Sequence, residues 1–294
     1  MGILIGVLEQ GLIYGIMALG VYITYKILDF PDLTTDGSFP AGAAITAILL
    51  TKGVNPYLSL LISFISGMVI GALTGIIHVK FKVRDLLSGI IMMTALYSIN
   101  LRIAGKANVP LFSQNTVFDN SFVNSIFPQS LVLYKTVIIA LILTLITKFI
   151  LDAYLNTKSG FLLRAVGNNE TLVTTLAKDT GLVKILGLAI ANGLVAMSGS
   201  IMCQQQRFFD MSMGTGTVVI GLANVIIGTN LFKNVSAVKA TTAVLFGAVV
   251  YKACVAFAIS RGLSATDMKF ITAFLFLVIL VITMDRKKKV KKNA

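Results

Sequence analysis

The chain has 294 residues, of which 56% are hydrophobic and only 13% are charged, and its mean hydropathy is +0.88. A soluble domain carries about twice that charged fraction, so the composition excludes a soluble globular protein and predicts one membrane-embedded domain, residues 1–294. Lys and Arg of membrane proteins collect on the cytoplasmic side, so we predict that the net charge of +13 sets the orientation and that no nucleic acid is bound.

Nine hydrophobic segments follow one another along the chain, and each predicts a helix. Most of them have the ~20 residues that a helix needs to cross a lipid bilayer. The second and the seventh are shorter or interrupted. The predicted bounds are 2–28, 37–51, 56–80, 85–104, 131–154, 183–204, 214–231, 235–260 and 267–285.

The positions of the basic residues predict a cytoplasmic C-terminus. The tail, residues 286–294, contains the run RKKKVKK. Placing this tail inside also places about two thirds of all Lys and Arg residues inside, whereas the opposite orientation reverses that ratio. In this orientation the polar stretch 159–181 is cytoplasmic and the polar loop 105–130 faces outward.

The second segment follows a polar stretch with two prolines, DFPDLTTDGSFP at 29–40. Each proline disfavours helix before it, so we predict non-helical backbone here. Such backbone is tolerated at membrane depth only where protein or a water-filled cavity covers it. One interpretation is that Asp36, Gly37 and Ser38 line a substrate pathway at the N-terminus of a short helix. The other is an ordinary cytoplasmic turn with capping aspartates.

The seventh segment opens with a glycine-rich run, MGTGTVVIGLANVIIG at 213–228. Short segments at corresponding places in the two halves of a transporter mark the substrate pathway, and we assign Gly214 to that pathway. Gly214, Gly221 and Gly228 recur every seven residues, which predicts one closely packed helix face, and packing alone is the alternative explanation. No Lys-Ser/Thr pair follows the glycines, so the run is not a phosphate-binding loop.

Polar side chains within the spans are pathway candidates by default. They are Glu9, Gln10, Asn100, Asn192 and Asn224. Of these we assign Glu9, Asn100 and Asn224 to the pathway. Two alternatives stay open, because Glu9 lies within two turns of the predicted outer surface and the amides are equally consistent with hydrogen bonds between helices.

The segment spacing predicts two inverted repeats, residues 1–104 and 183–285, joined by one connecting span at 131–154. Segments one to four and segments six to nine begin at similar intervals, and the single connecting span makes the second set run opposite to the first. Inverted repeats are typical of transporters. Four spans of similar length also match roughly by chance, so that alternative stays open.

Residues 159–181 form the one long polar stretch flanked on both sides by strongly hydrophobic segments, and they predict two short helical pieces. The first ends at Gly167. Asn168 or Asn169 caps the second, which has Glu170 in its first turn. The apolar face of the second piece consists of Leu172, Val173, Leu176 and Ala177. From spacing alone, this piece either lies on lipid headgroups or docks a cytosolic partner.

The sequence has no pattern typical of a catalytic, metal-binding or cofactor-binding site. It lacks a metal cluster, a nucleophile–base pair, a pair of catalytic carboxylates and the GxxxxGK[ST] motif, so we predict that the chain is not an enzyme and does not itself hydrolyse nucleotide. Cys203 and Cys254 lie in apolar stretches, which favours packing over a disulfide or a metal site.

Several of these stretches together resemble a known family. RAVGNNE…LAKDTG at 164–181, leading into ILGLAIANGLVAMSGSI at 185–201, resembles the coupling helix and next span of ATP-binding-cassette importer permeases of the branched-chain amino acid type. ILDFPDLTTDGSFPAGAA at 27–44 and GTGTVVIGLANVIIG at 214–228 resemble the branch that works with tryptophan/tyrosine-type binding lipoproteins. LLSGIIMMTALYSINLRIAGKANVPL at 86–111 fits the same branch.

The resemblance implies an assembly in the bacterial plasma membrane. Two permease chains, expected as a homodimer, share a central pathway, and one cytosolic ATPase with bound ATP and Mg²⁺ lies under each coupling helix. An extracellular binding lipoprotein delivers the cargo. By position, the resemblance assigns the coupling region to Arg164, Ala165, Asn168, Glu170 and Gly181, and we add Leu172 from the apolar face. It assigns the pathway to Asp36, Gly37, Ser38 and Gly216.

The function expected from this resemblance is that of an importer's permease subunit for a small solute, an amino acid, with aromatic amino acids among the candidates. Family members move amino acids, nucleosides and sugars, so the cargo stays open. A different class, the ion-coupled secondary transporter, is the alternative, and the scarcity of ionisable residues in the spans argues against it. A membrane anchor or receptor component would not explain two broken segments.

Overall fold

A computed structural model of the chain describes residues 2–175, 179–233, 235, 237–261, 270–274 and 276–281, with the side chains of 129–131, 170, 172 and 175 left out. These residues form an α-helical bundle, as the predicted all-α class requires. They also form one small two-stranded sheet, which was not predicted. The helices are α1 (Gly2–Val21), α2 (Thr35–Thr51), α3 (Pro56–Lys80), α4 (Asp85–Ala104), α5 (Ser121–Ile126), α6 (Lys135–Leu155), α7 (Lys158–Asn168), α8 (Glu170–Thr175), α9 (Thr180–Gln206), α10 (Thr217–Leu231) and α11 (Ala240–Ser260). The strands are β1 (Asn108–Pro110) and β2 (Phe208–Asp210).

Seven helical segments in the described part of the chain are long and apolar enough to cross a membrane. They are Gly2–Ile27, Pro56–Lys80, Asp85–Ala104, Val132–Leu155, Thr180–Gln206, Met211–Leu231 and Ala240–Ser260. Two of the nine predicted segments are not among them, because α2 has 17 residues and only Phe270–Val281 of the predicted segment 267–285 can be followed in the structure. The tail 286–294 lies outside the described residues. The chain is therefore a multi-pass membrane protein, with seven candidate spans among the described residues.

Helix α9 lies at the centre of the bundle, with α1, α2 and α3 packed around it. Small residues let these backbones approach closely, which is how helices associate in a membrane. A Cβ atom at Gly71 of α3 would lie 2.1 Å from the carbonyl oxygen of Leu188, and one at Gly199 of α9 would lie 1.9 Å from that of Phe39. The positions of α2 and α3 are thus fixed against α9 with little freedom to shift.

Helix α2 begins earlier than the sequence predicts. Asp36, Gly37 and Ser38 were expected in non-helical backbone before Pro40, yet they lie in the first turn of the helix. Proline removes one hydrogen bond, the one to the carbonyl of Asp36, and this loss is tolerable so close to a helix N-terminus. That carbonyl lies directly against Gly214, where an added Cβ atom would come within 2.2 Å of it. Tertiary packing therefore overrides the local effect of the proline.

The helical backbone is interrupted before α10, as predicted, and the helix begins at Thr217 rather than at Gly214. Gly216 precedes it with φ of +86°, a left-handed conformation that favours glycine. The predicted single glycine face is wrong. Gly214 lies before the helix, an added Cβ at Gly221 would meet Val21 of α1, and one at Gly228 would meet Ala243 of α11. The close packing expected of these glycines is nevertheless present.

The two ends of the bundle differ in structure. At one end, which we call the sheet end, β1 pairs antiparallel with β2, and Val109 lies opposite Phe209. The predicted loop 105–130 folds here, with α5 beside the strands. At the other end, which we call the α7–α8 end, the connections from α6 to α9 and from α10 to α11 meet, and Nζ of Lys239 lies 3.5 Å from Oδ2 of Asp152.

Two short helices at the α7–α8 end match the two predicted pieces. The Thr157 hydroxyl caps α7 by accepting a hydrogen bond from the N–H of Gly160 at 3.3 Å. The helix runs one residue beyond the predicted end at Gly167, and Asn169, with φ of −157°, separates it from α8. The local apolar spacing and the expected cap at Asn168 or Asn169 therefore predicted the pair of helices, whereas the Thr157 cap of α7 was not predicted.

Candidate functional site

The carboxylate of Asp36 joins the starts of the two short helices α2 and α10. Its Oδ1 atom accepts hydrogen bonds from the N–H of Val218 and the hydroxyl of Thr217, both at 2.8 Å, and its Oδ2 atom accepts one from the N–H of Gly216 at 3.0 Å. A carboxylate is favoured at a helix N-terminus, because it satisfies free N–H groups and opposes the positive end of the helix dipole. Asp36 occupies that position for both helices at once.

A cavity of about 720 Å³ adjoins this junction. Its walls come from the start of α2, from one face of α4 and from the segment that follows β2. The lining residues are Asp36, Gly37, Met93, Thr94, Tyr97, Ala107, Asp210, Met211, Ser212 and Thr215. Two predicted pathway residues, Asp36 and Gly37, are among them, and the volume lies in the range that binding sites for small molecules occupy.

The other two glycines of the predicted pathway lie on either side of the junction. Gly214 is buried against the carbonyl of Asp36 and the ring of Pro40. Gly216 lines a second cavity of about 290 Å³ between α1, α10 and α11. Ser212 and Thr215 line both cavities, so the two spaces are neighbours.

Ser38 is placed differently from the prediction. Its side chain is fully buried, and its hydroxyl donates a 2.7 Å hydrogen bond to Oδ1 of Asn192, while Nδ2 of Asn192 donates one of 2.7 Å to Asp32. Burial raises the pKa of the Asp32 carboxyl, and hydrogen bonds from Thr34 and Asn192 oppose that effect. Asn192 therefore ties α9 to the connection before α2, and Ser38 serves this contact rather than the lining of either cavity.

The remaining pathway candidates from the sequence are dispersed. The Nδ2 atom of Asn100 donates a 2.9 Å hydrogen bond to the carbonyl of Gly37, next to the larger cavity. Glu9 accepts a 2.9 Å hydrogen bond from Gln205 near the C-terminal end of α9, apart from both cavities. Asn224 is fully buried, and neither polar atom of its amide has a hydrogen-bond partner among the described residues.

Sequence reasoning overlooked Lys252. This residue lies in α11 with only 7% of its surface exposed, and it lines the smaller cavity. Its Nζ atom lies 3.2 Å from Oε1 of Gln10 and 4.0 Å from the ring centroid of Tyr14. Within the part of the chain that the structure describes, no carboxylate lies within 4.0 Å of that atom. The available signal was a single lysine in the apolar run 240–260.

Helix α7 packs on the segment that leads to Asp36. The end of α1 continues as a π-helical turn, Tyr22–Ile27, and an added Cβ at Gly167 would lie 1.7 Å from the carbonyl oxygen of Ile27. Leu163 and Val166 are buried on the same side of α7. The chain then passes through residues 28–34 into α2, so α7 lies directly against the connection that ends at the candidate site.

The predicted coupling residues lie along this end of the bundle. Arg164 and Ala165 are partly buried in α7, and Asn168 is exposed at its end. Glu170 and Leu172 belong to α8, but their side chains lie outside the described part of the structure, as do the predicted face residues Leu176 and Ala177. Gly181, at the start of α9, lies against Val79 of α3.

Comparison with known proteins identifies the family. A family model described as branched-chain amino acid transport system / permease component matches residues 3–284. The chain belongs to this family. It is thus a permease, the membrane subunit of a binding-protein-dependent transport system and not an enzyme, which confirms the family expected from the resemblance. Such systems also contain an ATPase and a binding protein. A metal-binding group of three or more His, Cys, Asp or Glu residues is absent from the described residues.

Individual relatives cover most of the permease. It is 47% identical over 277 residues, 94% of this chain and 90% of the relative, to the tyrosine transport system permease protein of Clostridioides difficile. It is 32% identical, over 98% of this chain and 99% of the relative, to an uncharacterised protein of Rickettsia prowazekii. A probable branched-chain amino acid transport permease protein of Methanocaldococcus jannaschii is 27% identical over 73% of this chain and 70% of its own length. No solved structure matches the permease.

Proposed function

We propose that this permease forms the membrane pathway of an ATP-driven importer for an aromatic amino acid, with tyrosine as the first cargo to test. The observation that carries the cargo assignment is the 47% identity to a tyrosine transport permease over nearly the whole chain. The junction at Asp36 supplies a pathway beside two helix N-termini, where polar and charged groups of an amino acid are stabilised. ATP hydrolysis belongs to a separate subunit.

The packing of the helices supports two inverted repeats within this pathway. Helix α3 packs along α9, and α11 packs along α1. Likewise α2 contacts α9 and α3, and α10 contacts α1 and α11. If α1, α2 and α3 correspond to α9, α10 and α11, each of these contacts has a counterpart between the corresponding helices. A pseudo-two-fold axis in the membrane plane requires this correspondence. In this arrangement α2 and the helix near 270–281 complete nine membrane segments.

The distribution of basic residues supports a cytoplasmic location for the α7–α8 end. Lys80, Lys82, Arg84, Lys158, Arg164 and Lys184 lie at or near that end. Positive residues accumulate on the cytoplasmic side of membrane proteins, so the sheet end faces outward and the basic tail 286–294 is cytoplasmic. The outward loop that carries β1 and α5 then meets the extracellular binding lipoprotein.

A second copy of the chain completes the pathway. The larger cavity opens at the surface of this chain beside α4, and Tyr97 on its wall is 60% exposed. In a homodimer, the same face of the partner covers this opening, so that the cargo passes between two permease chains rather than along lipid.

The coupling pathway runs from the ATPase through α7 and α8 to Asp36. Movement of the ATPases on binding ATP shifts α7, and the contact of Gly167 with Ile27 transfers that shift to the π-helical turn. Residues 28–34 connect this turn directly to α2. Arg164, Ala165, Asn168, Glu170, Leu172 and Gly181 are the residues we place at or near the ATPase contact.

The experiment that tests the proposal is reconstitution in proteoliposomes. The tagged permease is extracted gently from its native membrane, the co-purifying proteins are identified by mass spectrometry, and the complex is assayed for uptake of labelled tyrosine. We expect an ATPase and a lipoprotein in the complex. We also expect uptake to require ATP on the side of the membrane that carries the ATPase. Uptake by the permease alone, driven by a proton or sodium gradient without ATP, would instead establish the ion-coupled transporter, for which Lys252 offers an ionisable group.

A further inference from the structure

The smaller cavity contains a buried cation that the described residues leave without a counterion. Lys252 lies close to the middle of α11, and its ammonium group contacts the amide oxygen of Gln10 and the face of the Tyr14 ring. Both partners are formally neutral. A buried ammonium without a carboxylate is costly in a membrane, and such residues mark sites of function.

The acidic groups nearest this cavity are already engaged. Thr215 and Gly216 form part of its wall, immediately before α10, and the Asp36 carboxylate opposes the positive end of that helix dipole. Glu9 is engaged with Gln205, and the Asp36 carboxylate is engaged with the α10 backbone. The remaining polar lining consists of hydroxyl groups, from Ser212, Thr215, Tyr14, Tyr251 and Thr272.

We propose that Lys252, oriented by Gln10 and Tyr14, binds the α-carboxylate of the transported amino acid during its passage. The ammonium supplies the charge, and the carboxylate supplies the missing counterion in a site of low dielectric, where a charge-assisted hydrogen bond is strong. The inference rests on the proposed function, because it names the part of the cargo that this chain recognises.

The neighbouring cavity offers a partner for the α-ammonium group of the same molecule. Ser212 and Thr215 separate the space around Lys252 from the larger one, which Asp36 lines. A zwitterionic amino acid thus meets a cation in one space and an anion in the adjacent one. The pairing favours an amino acid over an uncharged sugar or nucleoside, since neither of those has a carboxylate to neutralise Lys252.

The test compares tyrosine with tyramine, which lacks only the carboxylate. Binding of each to the permease in nanodiscs is measured for wild type, Lys252→Met and Lys252→Arg, with Lys52→Met as the control that removes an exposed lysine. Methionine has similar length and suits an apolar span, so the variant is expected to fold, which size-exclusion chromatography and a melting curve check. We expect Lys252→Met to weaken tyrosine binding at least about tenfold, Lys252→Arg to retain most of it, and tyramine binding to be unchanged.

Two results would overturn the inference. One is tyrosine binding by Lys252→Met at wild-type affinity, and the other is an equal loss of tyrosine and tyramine binding, which would indicate a packing role. Wild-type permease that binds none of tyrosine, phenylalanine and leucine would also contradict it. ATP-driven uptake by the complete complex is measured in parallel. Normal tyrosine uptake by the complex with Lys252→Met would contradict the role of Lys252 and leave the importer assignment intact.

Discussion

The hydroxyl of Thr217 donates a 2.8 Å hydrogen bond to Oδ1 of Asp36, and the N–H of Val218 donates to the same atom. The Asp36 side chain, from the first turn of α2, thus caps the first turn of α10. Two helix N-termini that face one another repel through their positive dipole ends. The Asp36 carboxylate lies where it neutralises both. This one side chain therefore links two segments that are about 180 residues apart in the chain and lies at the wall of the larger cavity.

Replacement of Asp36 by Asn is expected to destabilise the permease and to impair uptake. The amide keeps one acceptor oxygen, but its NH₂ group would face an N–H group of α10, and the negative charge between the two helices is lost. Loss of a helix cap costs about 1 kcal/mol, and the altered junction lies at the cavity. A melting curve in detergent and an uptake assay measure the two effects.

Asp85→Asn is the matched control for that variant. Asp85 also lies in the first turn of a helix, α4, but its Oδ1 atom accepts a hydrogen bond only from the neighbouring N–H of Leu86 in an exposed position. The control is expected to change stability and uptake little. Equal effects of the two substitutions would refute a special role for the Asp36 junction.

Replacement of Asn224 by Leu is expected to raise the melting temperature of the permease. Both polar atoms of this fully buried amide lack partners among the described residues. Replacing an unsatisfied buried polar group by an apolar group of similar shape is stabilising or neutral. If the amide serves the transport cycle, uptake falls although stability rises. Thermal unfolding and uptake are measured on the same preparation.

The contrasting variant is Asn192→Leu, since the Asn192 amide is fully engaged. Its loss leaves the hydroxyl of Ser38 and the Oδ2 atom of Asp32 without their partner, both at buried positions. We expect this variant to be clearly less stable than wild type. A stabilising effect at both positions would mean that the hydrogen bonds of Asn192 contribute nothing.

Replacement of Gly167 by Ala is expected to uncouple ATP hydrolysis from uptake. The new methyl group would collide with the carbonyl of Ile27 and push α7 away from the π-helical turn. The bundle itself should stay folded, because the change affects only the contact of a peripheral helix. ATP hydrolysis and tyrosine uptake by the complete complex are measured together. Gly6→Ala in α1 is the control, since an added Cβ there meets no atom within 4 Å, and it should leave both rates unchanged.

The sheet end is expected to lose stability in acid through Asp119. A hydrogen bond from Asn124, with further help from Arg207 and Lys135, holds the pKa of this carboxyl below its usual range, although burial opposes the shift. A folded-state pKa below the unfolded value of about 3.9 means that the stabilisation is complete above that pH. It is lost as the pH falls through the lower, folded value.

Melting curves of wild type and Asp119→Asn between neutral and strongly acidic pH test this expectation. The variant should be less stable at neutral pH and should approach wild type in strong acid. Arg207→Gln, which removes one partner of Asp119, should weaken the acid dependence only in part. Parallel curves for wild type and Asp119→Asn at all pH values would show that this carboxyl is not linked to folding.

The class of the fold and most of its helices follow from hydropathy, because spans of ~20 apolar residues have few alternatives. Local capping signals likewise predicted α7 and α8, whose determinants lie within the same short stretch. Helix α2 was less accessible to prediction. Its first turn is stabilised by contacts with Gly214, α4 and α10, which local sequence does not reveal.

The sequence pointed to some of the residues that line the two cavities. Asp36, Gly37 and Gly216 are among them, and their place on a substrate pathway, inferred from the broken segments, stays a prediction. Ser38 points to Asn192 instead, since the helical backbone turns successive side chains in different directions. Lys252 was overlooked because its partners Gln10 and Tyr14 lie at the other end of the sequence, and only the fold brings them together.

The π-helical turn at the end of α1 has a consequence for how movement is transmitted. The N–H of Leu28 bonds to the carbonyl of Ile23, so this turn contains one residue more than an α-helical turn would. Conversion to α-helical bonding would shift the register by one residue and rotate everything that follows by about 100°. In the proposed coupling pathway, a displacement that enters through Gly167 would therefore reach α2 as a discrete step between two registers and not as gradual elastic bending.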